Sequence, residues 1–282
     1  MKLDSKKLLT TLTCSVVLAS MAQVADAGTG SSYSQVQSAI NTNGAGAIIT
    51  ELERAERLIC PACVAPVMKL LDNDDYAIRE VAAWWISRRP AQKKQVTAMS
   101  EQRLATGNSI EVRNAADALG TFRHPQAIPA LVAAYANRTD LSDEARSHIM
   151  FALGTIGYIT ADATLERGMS DPSADVRMQA VSAWVEIRGQ KGAAPAVALV
   201  NDPNTAIRRK AAAAIGFFRD PAGRTALEAQ VLNDPDPVVR RNAAWALGQI
   251  GDVASADVLQ KATQDESSLV RATAKVAKRA LR

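Results

Sequence analysis

Apolar and small residues return along this chain at helical spacing, each time behind an arginine. The clearest case follows Arg240: Ala243, Ala246, Leu247 and Ile250 stand three, six, seven and ten residues further on. At about 100° per residue these positions share one face of a helix. The third position after the other arginines is filled by Ala82, Ile149, Ala180, Ala211 and Ala274, and the seventh by Ile86, Leu153, Trp184 and Ile215. The small alanines would let a neighbouring helix come close. Four residues before the arginine stand Asp75, Ser142, Ser173, Asn204, Asp236 and Ser267, all residue types that accept an orphan N–H at a helix start. Pro237 follows Asp236 at the first helical position, where a missing N–H is harmless.

The arginines are Arg79, Arg113, Arg146, Arg177, Arg208, Arg240 and Arg271, at steps of 34, 33, 31, 31, 32 and 31 residues. A period in this range marks a stacked repeat, not one globular core. Each unit is too small to bury its own apolar face and must lean on its neighbours. Upstream of the caps lie second apolar stretches, 64–71, 128–132, 195–200 and 227–232, so each unit reads as helix, short polar turn, helix. The second unit is out of step. Its run Ala115-Ala116-Asp117-Ala118-Leu119-Gly120 begins one residue early relative to Arg113. Counting from Val112 puts Asn108 at the N-cap and rotates Arg113 off its row, and Ser109 is the unshifted alternative.

An Asp stands six residues before five of the arginines, and Asp-Pro opens the turn at 171–172, 202–203 and 234–235. These residues resemble the HEAT repeats, in a short bacterial form similar to phycobilisome-lyase repeats, from about Cys60 to the C-terminus. The resemblance implies an all-α, right-handed α-solenoid of about seven helix–turn–helix repeats. It also implies an Asp/Arg ladder linking repeats, carried over as Asp140/Arg146, Asp171/Arg177, Asp202/Arg208, Asp234/Arg240 and Asp265/Arg271. Asn73 and Gly107 replace the Asp in the first two units, where the ladder departs from the pattern.

The N-terminus changes the picture of location. Lys2, Lys6 and Lys7 precede an apolar run, and Ala25-Asp26-Ala27 fits a cleavage site. Residues 1–27 are expected to be a cleaved signal peptide, with an uncleaved anchor as the alternative. The apolar run is short for a membrane span, and Cys14 lacks a lipoprotein setting. Residues 28–46 are expected to be a flexible lead-in and 47–282 the solenoid, with 47–59 as a capping helix and a polar-faced last helix around Lys275, Lys278 and Arg279. Loss of three lysines and two aspartates takes the net charge from +4 to +3. That mild excess is no nucleic-acid footprint. The mature chain is expected to be exported, to the periplasm, with no stable membrane span.

Two cysteines then remain, Cys60 and Cys63 in Cys-Pro-Ala-Cys. Three readings stay open: a local disulfide, suited to an oxidising compartment; a redox pair at a helix N-terminus, which lowers a thiol pKa; and metal attachment. Val64 in place of His excludes the haem-attachment pattern, and His124 and His148 are too few and too distant for a zinc set. Neither His is followed by Glu, as the iron-binding pairs of HEAT-like hydroxylases require, and no phosphate loop or nucleophile elbow occurs. No cofactor or metal is expected.

Five residues after each arginine lies a row away from the alanine face: Trp84, Phe151, Ser182, Ala213, Trp245 and Val276. The family resemblance implies that second helices line a concave side. Trp84, Phe151 and Trp245, flanked by Arg209, Lys210 and Arg241, are the candidate partner surface, and packing between repeats is the alternative. Trp85 and Trp184 are expected in the core. The function expected is an exported, non-enzymatic scaffold for a protein partner; the alternative is a thiol–disulfide redox protein.

Overall fold

The computed structural model describes residues 30–42, 44–187 and 189–281. The expected signal peptide, residues 1–27, lies outside them. Every regular element among the described residues is helical, as the period required. The chain divides into two compact units, residues 1–92 and 93–282.

In the first unit, α1 (Tyr33–Thr42) and α2 (Ala45–Arg54) precede α3 (Pro61–Lys69) and α4 (Tyr76–Ser87). Helix α1 corrects the expected flexible lead-in. Its polar composition hid one anchor, Val36, which is 1% exposed and fixes the helix against its neighbours. The expected capping helix is α2, ending at Arg54. It buries Ile48 and Leu52 and packs on α4. Buried Glu51 takes a hydrogen bond from Ser31. Trp85 is fully buried and its Nε1 donates to the Ala55 carbonyl at 3.0 Å, so it is core as expected.

The second unit is a solenoid of helix pairs. Helix α5 (Pro90–Thr106) precedes α6 (Ser109–Thr121). Then come α7 (Ile128–Asn137) with α8 (Asp143–Ile156), and α9 (Asp162–Gly168) with α10 (Ala174–Glu186). A 3-10 helix (Ala194–Asn201) stands before α11 (Thr205–Phe218) where the other repeats have an α-helix. Finally α12 (Arg224–Asn233) pairs with α13 (Pro237–Ile250), and α14 (Ala256–Ala262) with α15 (Ser268–Ala280). The first unit holds one such pair, α3/α4, and the described residues contain seven second helices in all. The last helix buries Val270, Ala274 and Ala277 and leaves Lys275, Lys278 and Arg279 in solvent.

The caps fall where the sequence put them. Asp75, Ser142, Asn204 and Asp236 each accept first-turn N–H groups. Asn108 caps α6 in a reciprocal box with Glu111, which settles the one-residue shift of the second repeat. Ser173 and Ser267 occupy cap positions without a side-chain bond. There the backbone N–H donates to Asp171 and Asp265 instead.

Successive second helices touch through a recurring glycine. A Cβ added at Gly154 would sit 2.5 Å from the Ala183 Cβ, and one at Gly248 would sit 2.7 Å from the Ala277 Cβ. Gly120 faces Ala152 and Gly216 faces Ala246 in the same way. Each glycine closes its own Ala-Leu-Gly or Ala-Ile-Gly run, and each alanine opens the run, or its equivalent, in the next repeat. Close approach of two backbones is thus written into four of the second helices.

Candidate functional site

Three features carry the chemistry: the arginine row, the face beside it, and the cysteine pair. In the arginine row Arg146, Arg177, Arg208 and Arg240 each join two repeats. Arg177 donates Nε and Nη2 to both carboxylate oxygens of Asp202, at 2.7 and 3.1 Å, and its Nη1 to the Asp171 carbonyl at 2.8 Å. Arg146 binds Asp171, Arg208 binds Asp234 and Arg240 binds Asp265 in the same two-pronged way. Each of these aspartates also accepts the N–H two residues on, as in Asp202 with Asn204 at 2.8 Å. The planar fork matches a carboxylate at both prongs, and the remaining donor satisfies the turn.

The geometry corrects the expected pairs. Arg177, Arg208 and Arg240 reach the Asp six residues back only at its carbonyl, and Arg146 reaches the Leu141 carbonyl, while the other donors go to the following repeat. The charge partners are therefore Arg146/Asp171, Arg177/Asp202, Arg208/Asp234 and Arg240/Asp265. Asp140 is not held by Arg146. Arg138 holds it, with Nε and Nη2 on its two oxygens. Arg271, in the last repeat, donates only to the Asp265 and Glu266 carbonyls. Arg113 is rotated off the row as expected and reaches Glu144 at 2.8 Å and Asn114 at 3.1 Å.

Burial pushes the Asp171 carboxyl up, but hydrogen bonds from Arg146, the Ser173 N–H and the Tyr135 hydroxyl outweigh it and hold the group below the usual carboxylate range. Asp265 is held low in the same balance, by Arg240 and the Ser267 N–H. Burial and the bond to Asp171 push the Tyr135 phenol well up. Neither Arg138 nor Tyr135 was legible as a ladder residue, since both sit on or just after a first helix, outside the repeated pattern. The vacancy at Gly107 was the one signal that a substitute was needed.

Of the row five residues after each arginine, Trp84, Phe151, Ser182, Ala213 and Trp245 are half-buried and Val276 is 67% exposed. Trp84 belongs to the first unit, where Arg88 lies over its ring at 5.4 Å. The others belong to the second unit. Trp245 leans on the preceding helix, for a Cβ at Gly216 would meet its ring at 2.5 Å. So that ring is part packing and part surface. Arg209 pairs with Asp236, the cap of the next second helix, through Nε at 3.1 Å and Nη2 at 2.5 Å. Arg241 is half-buried, and its Nε is enclosed without a hydrogen-bond partner. Trp184 is 5% exposed with its Nε1 on the Gly192 carbonyl, a core residue as expected.

His148, set aside as a zinc ligand, has a structural contact. Its Nδ1 meets Asp117, a buried carboxylate of the preceding second helix, at 2.5 Å. Asp117 takes the place that an aromatic or small residue fills elsewhere in the repeat, which is why the pairing escaped the pattern. His124 is half-buried in the turn before α7. Among the described residues no cluster of His, Cys, Asp or Glu could hold a metal ion, and no helix is long and apolar enough to cross a membrane.

Cys60 caps α3 with Pro61 at the first helical position, as expected, and its Sγ accepts the Cys63 N–H at 3.1 Å. The two sulfurs lie at bonding distance, 2.00 Å. Cys63 is fully buried and Cys60 is half-buried.

Comparison with known proteins accords with this architecture. The HEAT-repeat family model matches residues 97–184 and 192–278. The bilin biosynthesis protein PecE of Mastigocladus laminosus is 35% identical over 107 residues, which are 34% of this chain and 39% of PecE. PecE of Nostoc sp. (strain PCC 7120) is 36% identical over 93 residues, 31% of this chain and 36% of that protein. The chain thus spans under two fifths of the length of these relatives. The crystal structure of Escherichia coli YibA superposes with a TM-score of 0.58 at 16% identity, covering 88% of this chain and 93% of YibA, a likeness of fold. With the repeat, its ladder and the family model in agreement over more than half its length, this chain belongs to the HEAT-repeat family.

Proposed function

We propose that this chain is an exported scaffold that binds a protein partner on the face formed by its second helices. The observation that carries the reading is the local patch of Arg209, Ala213, Arg241 and Trp245 on α11 and α13. There a half-buried indole stands one helical turn from an arginine whose enclosed Nε has no hydrogen-bond partner among the described residues. Tryptophan and arginine are the residues that most often dominate interfaces, and a stacked repeat offers such patches at a regular interval. Ladder arginines are satisfied by neighbouring repeats and are architecture, so they leave this face as the recognition chemistry. The PecE relatives are named for bilin biosynthesis. The shared segment is a repeat stretch, and that activity is not assigned to this chain.

Export rests on the pattern of residues 1–27, and the periplasm is the compartment proposed. An oxidising compartment would keep Cys60 and Cys63 joined. Two measurements test the reading. Affinity capture from an envelope fraction should recover a partner with the native chain and lose it with Arg241→Gln/Trp245→Ser. Mass spectrometry of the exported chain should find a terminus near Gly28, and an intact Met1 would refute cleavage.

A further inference from the structure

The start of α3 brings together a cysteine pair, a cavity and a group of arginines, none of which the repeat architecture requires. The cavity holds about 450 Å³ and is lined by apolar Leu58, Ile59, Pro61 and Val64 with Cys60, and by Arg57, Arg88 and Arg89 with Glu56. Cys60 faces it. Cys63, fully buried, is not among the lining residues. The turn leading to Cys60 is fixed from below. Arg89 donates to the carbonyls of Trp85 at 2.6 Å, Glu56 at 3.2 Å and Leu58 at 2.9 Å, and its guanidinium stacks on Trp85 at 3.1 Å. Ile59 projects from that turn with 94% of its surface exposed, at the cavity's edge.

We propose that Cys60 and Cys63 form a thiol–disulfide exchange site whose substrate is a cysteine-bearing peptide segment seated in this cavity. The two sulfurs have unequal roles set by their placement. A substrate thiolate attacks Cys60 Sγ, the sulfur that faces the cavity. The Cys60–Cys63 bond breaks, and Cys63 leaves as a thiolate and takes up a proton from solvent. A second substrate thiolate then attacks the substrate sulfur of the mixed disulfide, and Cys60 leaves as a thiolate. Two electrons pass from the substrate dithiol, which becomes a disulfide, to the protein pair, which becomes two thiols. The departing Cys60 sulfur is received by the Cys63 N–H at the start of α3, where backbone donors favour a thiolate. Three guanidinium groups against one carboxylate favour an incoming thiolate, and the apolar rim of Leu58, Ile59 and Pro61 favours a peptide over a small hydrophilic thiol.

The experiment uses the oxidised full-length mature chain and a short synthetic peptide carrying two cysteines among apolar residues, with reduced glutathione in a parallel arm. Acid quenching, alkylation and mass spectrometry count thiols on both molecules. The expected result is one peptide disulfide formed for each Cys60–Cys63 pair reduced, with the peptide faster than glutathione by roughly tenfold or more at equal thiolate. With the peptide supplied in its disulfide form, whose bond a free protein thiolate breaks, Cys63→Ser should trap it on Cys60 and Cys60→Ser should trap none on Cys63. A wild-type pair that stays oxidised in excess dithiol peptide would be a structural bridge, and the proposal fails. Equal rates with glutathione would overturn the peptide assignment, and equal trapping at both sulfurs would overturn the division of roles. The wild-type arm decides even if a variant does not fold. No arm depends on the scaffold's partner, so this test can fail while partner binding stands.

Discussion

Arg138 holds Asp140 in a two-pronged grip, with Nε 2.9 Å from one oxygen and Nη2 2.6 Å from the other, while reaching back to the carbonyls of Leu104 at 3.3 Å and Gly107 at 2.8 Å. These are the contacts a ladder arginine makes, namely the next repeat's aspartate and its own repeat's turn. Where the second repeat lost its Asp to Gly107 and rotated Arg113 away, an arginine from the end of α7 occupies the rung from the other side.

Arg138→Ala should therefore lower stability even though no repeat pattern marks the residue. Asp140 is open to solvent and will be rehydrated, so the loss comes mainly from the two carbonyls left without a donor, on the order of 1–2 kcal/mol. Arg138→Lys should recover little, because an ammonium cannot span two carbonyls and a carboxylate at once. Urea melts of the three proteins decide this, and an unchanged midpoint for Arg138→Ala would remove Arg138 from the ladder.

Arg177→Ala should be the costlier change. Asp202 keeps only 3% of its side-chain surface exposed and would be left with a buried charge. Breaking a buried pair from one side costs about 3–5 kcal/mol, and the low end applies because the guanidinium keeps an edge in water. Since stability in a stack is a sum over neighbours, the denaturant slope should fall as the array splits at this repeat. Arg177→Ala/Asp202→Asn should recover part of the loss, and a double variant as unstable as the single would show that the charge is not the cause.

Acid should unfold this ladder in a defined direction. Asp171 and Asp265 have folded-state values below their unfolded ones. Between the two values the folded chain binds fewer protons, so stability rises with pH across that window. The contribution is complete above the unfolded carboxylate value and is lost as pH falls through the folded one. Asp171→Asn should flatten the acid limb of a pH–stability profile while leaving its neutral-to-alkaline slope alone. A parallel downward shift at every pH would mean that packing, not ionisation, carries the effect.

How much of this was legible follows from what repeats. The second helices, their caps and their alanine faces recur seven times and were readable, as was the shifted cap at Asn108. Arginines at a fixed step announced a ladder, but sequence distance favoured the nearer Asp, six residues away, over the true partner 25 or 26 residues on. The rungs at Arg138 and the Asp117–His148 contact occur once each and leave no periodic trace. Helix α1 was missed because one buried valine, Val36, outweighs a polar composition. For the cysteine pair, spacing gave the helix-start position of Cys60, while the unequal burial of the two sulfurs and the cavity needed the fold.

Close helix approach predicts opposite signs for one substitution at two sites. Replacing glycine by alanine inside a helix ordinarily gains roughly 0.5–1 kcal/mol. At Gly46 in α2 nothing lies within 4 Å of an added Cβ, and Gly46→Ala should stabilise. At Gly154 the same methyl would meet the Ala183 Cβ at 2.5 Å and its Cα at 2.7 Å. Overpacking of this kind costs about 1–3 kcal/mol, so Gly154→Ala should destabilise despite better helix propensity. Thermal melts moving both variants the same way would sink the argument.

The two half-buried tryptophans should separate packing from recognition. Trp84 is covered on one side by Arg88 at 5.4 Å, whereas the Trp245 ring rests on Gly216 of the preceding helix. Trp84→Ser should then leave the denaturant midpoint nearly unchanged. Trp245→Ser should lower it, because the ring edge over Gly216 is replaced by a void whose lining loses its contacts. Trp245→Leu refills part of that space and should restore most of the midpoint while still lacking the broad indole an interface anchor uses. Partner capture is the deciding readout. If Trp245→Leu folds like the native chain yet captures less partner, the indole is a recognition residue as well as a packing one. If capture follows the midpoint through all three variants, Trp245 is inter-repeat packing, and the face built on α11 and α13 is not where the partner sits.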